Sequence, residues 1–422
     1  IRRWAKDAAA YKKPLFLRWG HEFNIEKYPW GVPNNNKDPD KYIKAYRHIH
    51  NIFKSAGATN VKWVWCFNNY PNPDEEWNDY KKAYPGDEYV DWIGIDGYNW
   101  GATQTWSGWQ SFQEMLRDQV REAFKRYKKP IMIPEFASTE IGGDKASWIK
   151  DILPSLKISM KQVKSLVWFN IKKETDWRIT SSQKSDAAFK SIIKDPYFLT
   201  SAEDLINYTV PKIEEVKKIA TAKRVTSVVK IDGKLNEWGK AIPANLKDRS
   251  LLQEGISWNG PQDLSGTIYI MWDSDNLYLA ASVTDNYPLV NFKRRGDIWN
   301  GDAVEVCLST NPNADPKREA FEDGDFQIGF GTGDGKLNKP SIWIWQKKRS
   351  PEGSEIVVVK KKGGYNLEAK IPWHSFTNFR PRAGTKVSFD VALDDADKDI
   401  RKSQLVFSGD YAFYRDPSVW GI

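Results

Sequence analysis

Cysteine is scarce in this 422-residue chain: there are two, Cys66 and Cys307, far apart and each inside a strand-like run. Two buried thiols exclude a disulfide scaffold, so the fold must rest on its packed core. Long apolar runs are missing as well. None approaches the ~18 residues of a membrane-crossing helix, and no membrane span is expected. A nucleic-acid motif is also lacking. The net charge is +8, but 63 Lys and Arg are interspersed with 55 acidic residues. The runs Lys347-Lys348-Arg349 and Lys360-Lys361-Lys362 read as solvated strand ends and turns, so nucleic acid is not an expected partner. No internal repeat and no secretory leader are visible. Ile1-Arg2-Arg3-Trp4 reads as the middle of a helix, as if the chain began inside a domain.

What the chain has in quantity is aromatic rings: 21 Trp, 18 Tyr and 19 Phe. About half suit large cores. The rest suit stacking on sugars, because an aromatic face buries the C–H face of a pyranose at low entropic cost.

Residues 1–195 alternate strands with amphipathic helices. Strands are expected at 15–19, 61–67, 90–96, 131–135 and 166–170. One helix, from Asp40 to Ser55, carries Tyr42, Tyr46, Ile49 and Phe53 at helical spacing and stops before Gly57. Another, from Ser111 to Tyr127, carries Phe112, Leu116, Val120, Ala123 and Tyr127. Such alternation argues for a (β/α) barrel. Eight strands would need about 250 residues; the five found imply only about the last five βα units of a (β/α)8 TIM barrel, the first three being absent. Residues 196–225 read as a charged linker with helical content between 204 and 222. From 226 to 422 the period becomes two, with turn signals such as Asp273-Ser274-Asp275-Asn276 and Gly363-Gly364, which is the pattern of an antiparallel β-sandwich.

Two of the barrel-type strands end in a carboxylate. Phe16-Leu17-Arg18-Trp19-Gly20-His21-Glu22 and Ile131-Met132-Ile133-Pro134-Glu135 each run from apolar residues into a glutamate, as a buried parallel strand does when it delivers a catalytic acid. A pair of carboxylic acids is the minimum equipment for glycoside hydrolysis.

The first half resembles glycoside hydrolase family 26, a retaining group that includes β-mannanases. The resemblance is carried by Arg18-x-x-His21-Glu22-x-Asn24 with Pro29-Trp30-Gly31, Asp96-Gly97-Tyr98-Asn99-Trp100, Pro134-Glu135-Phe136-Ala137-Ser138 and Trp168-Phe169-Asn170. It implies Glu22 as general acid/base and Glu135 as nucleophile, with carboxyls about 5–5.5 Å apart. It further implies His21 as a sugar contact, Tyr98 as the tyrosine that keeps the nucleophile ionised, Trp168 as the floor of the cleavage subsite and Trp30 as a wall. Trp100, Trp106 and Trp109 would line outer subsites or simply cap the barrel. No catalytic cofactor is implied.

The second half resembles carbohydrate-binding module family 9, through Ile231-Asp232-Gly233-Lys234-Leu235-x-Glu237-Trp238, Ile298-Trp299-x-Gly301-Asp302-Ala303-Val304-Glu305, Glu368-Ala369-x-Ile371-Pro372-Trp373 and Tyr414-Arg415-Asp416-Pro417. It implies Trp299 and Tyr414 as an aromatic sandwich for one sugar and Glu305 as a hydrogen-bonding residue. Gln327 and Ala392 stand where the resemblance would place an arginine and a glutamine. It also implies structural calcium, with Asp273, Asp275, Asp285 and Asp302 as acidic loop residues. The resulting expectation is an extracellular retaining endo-β-glycanase acting on plant cell-wall polysaccharide. β-Mannan is the first substrate; mixed-linkage β-glucan or xylan, or a non-catalytic glycan-binding chain, are the alternatives.

Overall fold

The computed structural model describes residues 1–199, 218–248, 251–254, 258–376 and 379–422. The chain divides into two compact units, Ile1–Ile213 and Glu214–Ile422. Most of the expected linker, and its helix up to 217, lies outside the described residues. At its described edges the chain is already part of a unit: Phe198 packs on the first core, and Lys223–Arg224 pairs as a strand in the second.

In the first unit five strands, β1 (Leu15–Leu17), β2 (Val61–Asn68), β3 (Trp92–Asn99), β4 (Ile131–Ser138) and β5 (Val163–Trp168), form one parallel sheet in chain order. Among the described residues five α-helices accompany them: α1 (Arg2–Tyr11), α2 (Pro39–Ser55), α3 (Phe112–Tyr127), α4 (Lys145–Ile158) and α5 (Gln183–Ile192). Their ends are chemically marked. Asp38 caps α2, with Pro39 at its first position, where a missing N–H costs nothing. Ser111 and Glu114 form a reciprocal capping box at the start of α3.

Strand alternation sorts the residues between two faces. Leu15, Leu17, Trp63, Trp65, Phe67, Ile93, Ile95, Ile131 and Ile133 meet the helices in one core. Phe16, Val64, Trp92 and Met132 pack together on the opposite face. Several boundaries depart from expectation: β5 begins at Val163 and stops at Trp168, β3 runs Trp92–Asn99, β4 continues to Ser138, and β1 stops at Leu17, since only Leu15–Leu17 pair with β2.

The second unit is a two-sheet sandwich, antiparallel except for the short strand Lys223–Arg224, which pairs parallel with Leu264–Trp272. One sheet runs β14 (Glu355–Lys361), β15 (Gly364–Pro372), β10 (Asn276–Asp285), β9 (Leu264–Trp272) and β6 (Lys223–Arg224), with β7 (Ala244–Leu246) also on β9. The other runs β13 (Ser341–Ile344), β12 (Asp325–Gly331), β11 (Ala303–Ser309), β16 (Phe389–Asp395), β17 (Ser403–Val406) and β8 (Leu252–Glu254). Two separated motifs meet at a buried carboxylate. Glu368 on β15 accepts from the amides of Asp232 (2.9 Å) and Gly233 (2.5 Å) and from the Trp238 indole (2.6 Å).

Phe112 is wholly buried, with its ring against Phe136 (5.7 Å) and Trp148 (5.5 Å). Phe112→Ala should lower the stability of the first unit by about 3–5 kcal/mol, read from the shift of its urea transition at constant slope. A loss below about 1 kcal/mol would mean this contact is not part of the sheet–helix core.

Candidate active site

The position of Glu135 comes from one irregularity. Strand β4 holds one more residue than either neighbour between Ile133 and Phe136. Gly94 pairs with Met132 but Gly97 with Phe136, while Ile133 pairs with Leu166 but Phe136 with Trp168. This is a β-bulge, and Pro134, which has no amide hydrogen to give to a ladder, lies in it. Regular alternation from Ile133 would send Glu135 toward the helices. The extra residue turns it to the face that carries Arg18, Asp96 and Tyr98.

On that face Arg18 joins two carboxylates. Its guanidinium bonds the fully buried Asp96 at 2.5 Å and also bonds Glu135. The Tyr98 hydroxyl donates to the other Glu135 oxygen at 2.5 Å. Burial alone would raise the Glu135 carboxyl, but the hydrogen bonds from Tyr98 and Arg18 and the Arg18 charge outweigh it and hold the group below the ordinary carboxylate range.

Glu22 stands in the turn after β1. It adopts φ +51, rare for a residue with a side chain, next to Gly20 at φ +63. The turn is pinned from β2: the Glu22 amide donates to the Cys66 carbonyl (3.0 Å), and Asn24 exchanges hydrogen bonds with the Asn68 backbone (both 2.8 Å). The Asn68 amide then donates to Glu22 at 2.7 Å. Burial raises the Glu22 carboxyl; the Asn68 bond opposes this and the Glu135 charge adds to it. The two glutamates are therefore shifted in opposite directions.

Both line a cleft of about 1070 Å³, shared with Tyr28, Asn68, Tyr98, Trp100, Trp106, Trp109 and Phe169. Three expected sugar contacts sit elsewhere. Trp168 is corrected: it packs toward the helices against Phe136, Trp148 and Phe189, and Phe169 faces the cleft. The reason is strand parity, since neighbouring residues at the end of β5 point to opposite faces. Trp30 is stacked on Tyr28 (4.7 Å) and donates to the His21 carbonyl, so Tyr28 is the ring at the cleft surface. His21 lies behind it, 4.7 Å from the Tyr28 ring, and burial lowers its imidazole to about 4. The residues missed are Tyr28, whose hydroxyl bonds Glu22, and Asn68, together with Arg18, Asp96 and Phe169, which stood in quoted motifs without a role. For Tyr28 and Asn68 only their polar–aromatic character near strand ends was available as a signal.

In the sandwich, Glu305 is buried on β11 and accepts from Gln327 (2.6 Å) and Gln404 (3.4 Å). Arg401 reaches Glu305 (3.7 Å) and Asp394 (3.0 Å) and lies over the Trp299 ring at 4.8 Å. An arginine and a glutamine thus stand beside Glu305, supplied from 401 and 404 rather than 327 and 392. Tyr414 is exposed, with Arg415 over its ring. No hydrogen bond or ring contact joins it to Trp299 among the described residues.

The acidic loop residues divide. Asp273 is tied into its own turn, accepting from the Asp275 and Asn276 amides and the Tyr278 hydroxyl, and Asp275 lies in that turn. Asp285 and Asp302 instead converge with Asp395, all buried, with carboxylate oxygens within 4.8 Å of one another. Asp395 Oδ1 is buried without a hydrogen-bond partner. Three buried carboxylates with an unsatisfied oxygen suit a hard cation such as calcium.

Residues 1–203 match the family model of glycosyl hydrolase family 26, and residues 231–422 match that of the carbohydrate family 9 binding domain-like group. Endoglucanase H of Acetivibrio thermocellus is 46% identical over 198 residues, 46% of this chain and 21% of that protein. Endo-1,4-beta-xylanase A of Thermoanaerobacterium saccharolyticum is 27% identical over 191 residues, 45% of this chain and 14% of that protein. A mannan endo-1,4-beta-mannosidase of Bacillus subtilis (strain 168) is 26% identical over 139 residues, 32% of each. The chain thus spans between 14% and 32% of the length of these relatives.

Tyr98→Phe should raise the Glu135 pKa, because the lost hydrogen bond favoured the carboxylate. Carbon-detected NMR titration of glutamate carboxyls, with Glu135→Gln to assign the signal, reads the shift; an unmoved or lowered value counts against this account. Arg18→Met should cost about 3–5 kcal/mol in urea denaturation, since it leaves Asp96 buried without its cation.

Proposed function

We propose, with residues 1–203 belonging to glycosyl hydrolase family 26 and residues 231–422 to the carbohydrate family 9 binding domains, that the chain carries the catalytic pair of a retaining endo-β-glycanase. The observation that supports this most is the pairing of Glu22 and Glu135 in one aromatic-lined cleft with opposite protonation tendencies. Glu135, kept ionised, attacks the anomeric carbon while Glu22, kept protonated, gives its proton to the departing glycosidic oxygen. Glu22 then takes a proton from the water that cleaves the glycosyl-enzyme. Arg18 and Tyr98 hold the nucleophile in place.

The substrate in this reading is a β-1,4-linked plant cell-wall glycan. β-Mannan and β-glucan are the two readings: a mannan endo-1,4-beta-mannosidase is matched over 32% of its length, and Endoglucanase H, at higher identity, over 21% of its own. The sandwich holds the catalytic unit on the polymer and raises its local concentration. Such polymers are too large to enter a cell, so the work is extracellular. A calcium ion would be held by Asp285, Asp302 and Asp395 and would tie β10 to β16.

Reducing-sugar release from mixed-linkage glucan, galactomannan and xylan tests the activity. Glu135→Ala should abolish release, and Glu22→Ala should cut it at least about 100-fold. Activity needs Glu135 ionised and Glu22 protonated, so its acid limb should fall below, and its alkaline limb above, the ordinary carboxylate range. Asn68→Ala removes a bond to the Glu22 carboxylate and should move the alkaline limb upward. Release that survives Glu135→Ala, or no release from any polymer, overturns the proposal in favour of a glycan-binding chain.

Calcium is tested by heat denaturation of the sandwich. Without metal, burial and the Asp395 charge raise Asp285 to about 7, burial with the Asp397 and Asp263 charges raises Asp395 to about 6, and burial with the Asp285 charge raises Asp302 well above the ordinary range. These folded values lie above the unfolded 3.8, so metal-free stability falls as pH rises toward 7. Calcium competes with those protons. At a hundred times Kd it should add about 2.7 kcal/mol at pH 8 and much less at pH 5. An unchanged melting temperature in millimolar calcium at pH 8, or the same gain in Asp395→Asn, rules the site out.

A further inference from the structure

The loop between β5 and α5 passes three consecutive carbonyls to buried donors. Lys145 Nζ donates to the Asp176 carbonyl (3.3 Å), the Arg178 carbonyl (2.8 Å) and the Ser181 hydroxyl (2.9 Å). Between them the Trp168 indole donates to the Trp177 carbonyl at 2.7 Å. All three donors of the ammonium are thereby used within one loop. Lys145 is fully buried at the first residue of α4, the end where the helix dipole repels a cation. Burial lowers its ammonium to about 8, with Glu140 and Asp176 supporting the charge and Arg178 opposing it. A buried cation at the unfavourable end of a helix would be poorly tolerated if packing were its only role.

What the loop presents is the Trp177 ring, wholly buried beneath the cleft. It lies 5.1 Å from Tyr98 and 4.8 Å from Trp100, perpendicular to the latter. Tyr98 is the hydroxyl that bonds Glu135. A continuous set of contacts therefore runs from Lys145 through the 176–178 carbonyls and the Trp177 ring to the tyrosine on the carboxylate.

We infer that Lys145 is a positioning residue: it fixes the 174–181 loop so that Trp177 holds Tyr98 and Trp100 in register with Glu135. The catalytic consequence rests on the proposed glycanase reading; the structural consequence does not.

The test uses the full 422-residue chain with Lys145→Met and Lys145→Arg. Amide hydrogen exchange reads the loop directly, because the Trp177 and Lys173 amides bond within it (both 3.0 Å) and the Ile179 amide bonds Asn170 (2.8 Å). Lys145→Met should speed exchange about tenfold or more in peptides covering 171–182 and 96–101 and leave α2 and the sandwich unchanged. Lys145→Arg, which keeps cation and donors, should stay close to the parent. Parent-like exchange in Lys145→Met, or an arginine variant as disturbed as the methionine one, overturns the inference. If Lys145→Met does not fold, Ser181→Ala decides: faster exchange confined to 171–182 supports the anchor, and unchanged exchange overturns it.

Hydrolysis supplies the second readout. Lys145→Met should lower kcat about 10- to 100-fold at nearly constant KM, because a misplaced Tyr98 affects the chemical step more than binding. A raised KM with unchanged kcat overturns the positioning role. An inactive parent whose loop exchange still depends on Lys145 overturns the glycanase reading and supports this inference. An active parent with loop exchange indifferent to Lys145 does the reverse.

Discussion

The extra residue that β4 inserts between Ile133 and Phe136 is the constraint on which the cleft depends. It leaves Ile131, Ile133 and Phe136 all packed against the helices and turns Glu135 the other way. A carboxylate on that face would be costly alone. Arg18 offsets the cost by bonding Glu135 and Asp96 together, and β1 is the edge strand that carries it there. Bulge, arginine and buried aspartate thus form one arrangement: removing the bulge misdirects Glu135, and removing Arg18 leaves two carboxylates facing each other.

The asymmetry between the glutamates follows from their surroundings. Glu135 has Arg18 and the Tyr98 hydroxyl; Glu22 has burial, the Tyr28 hydroxyl and a single amide from Asn68. Cation and donors favour the ionised form in the first case, and desolvation favours the neutral form in the second. The aromatic layers act at longer range. Tyr28 rests on Trp30 and His21, and Tyr98 on Trp177, so each glutamate is bonded to a tyrosine whose ring is held from behind.

The sandwich handles polar burial by a different balance. Glu368 is met by three donors and ties the 231–238 segment to β15. Glu305 and Asp394 share Arg401 and Gln404. Asp285, Asp302 and Asp395 converge instead on a space where Asp395 keeps an oxygen unpaired. These three also accept donors, Asp285 from the Tyr287 amide, Asp302 from the Val290 and Ala396 amides and Asp395 from the Ser403 hydroxyl, but they face one another with no cationic side chain among the described residues shared by all three, an arrangement that suits a bound cation.

Local pattern alone determined a good deal here. The five strands, the helices beginning at Pro39 and Phe112, and the change to period two in the second half were legible because burial imposes its periodicity on neighbouring residues. Glu22 and Glu135 were legible because a carboxylate closing an apolar run is visible in one dimension. The placements of Trp168, Trp30 and His21 were not. A one-residue difference in strand parity decides which face a ring occupies, and strand ends are poorly marked in sequence. Gln404 came from β17, a strand too short to announce itself, Arg401 from the turn just before it, and Asp395 joined Asp285 and Asp302 only through cross-strand packing. Sequence determined which groups could do chemistry; tertiary structure decided which of them meet, because register, bulges and carbonyl anchoring join residues that are distant along the chain.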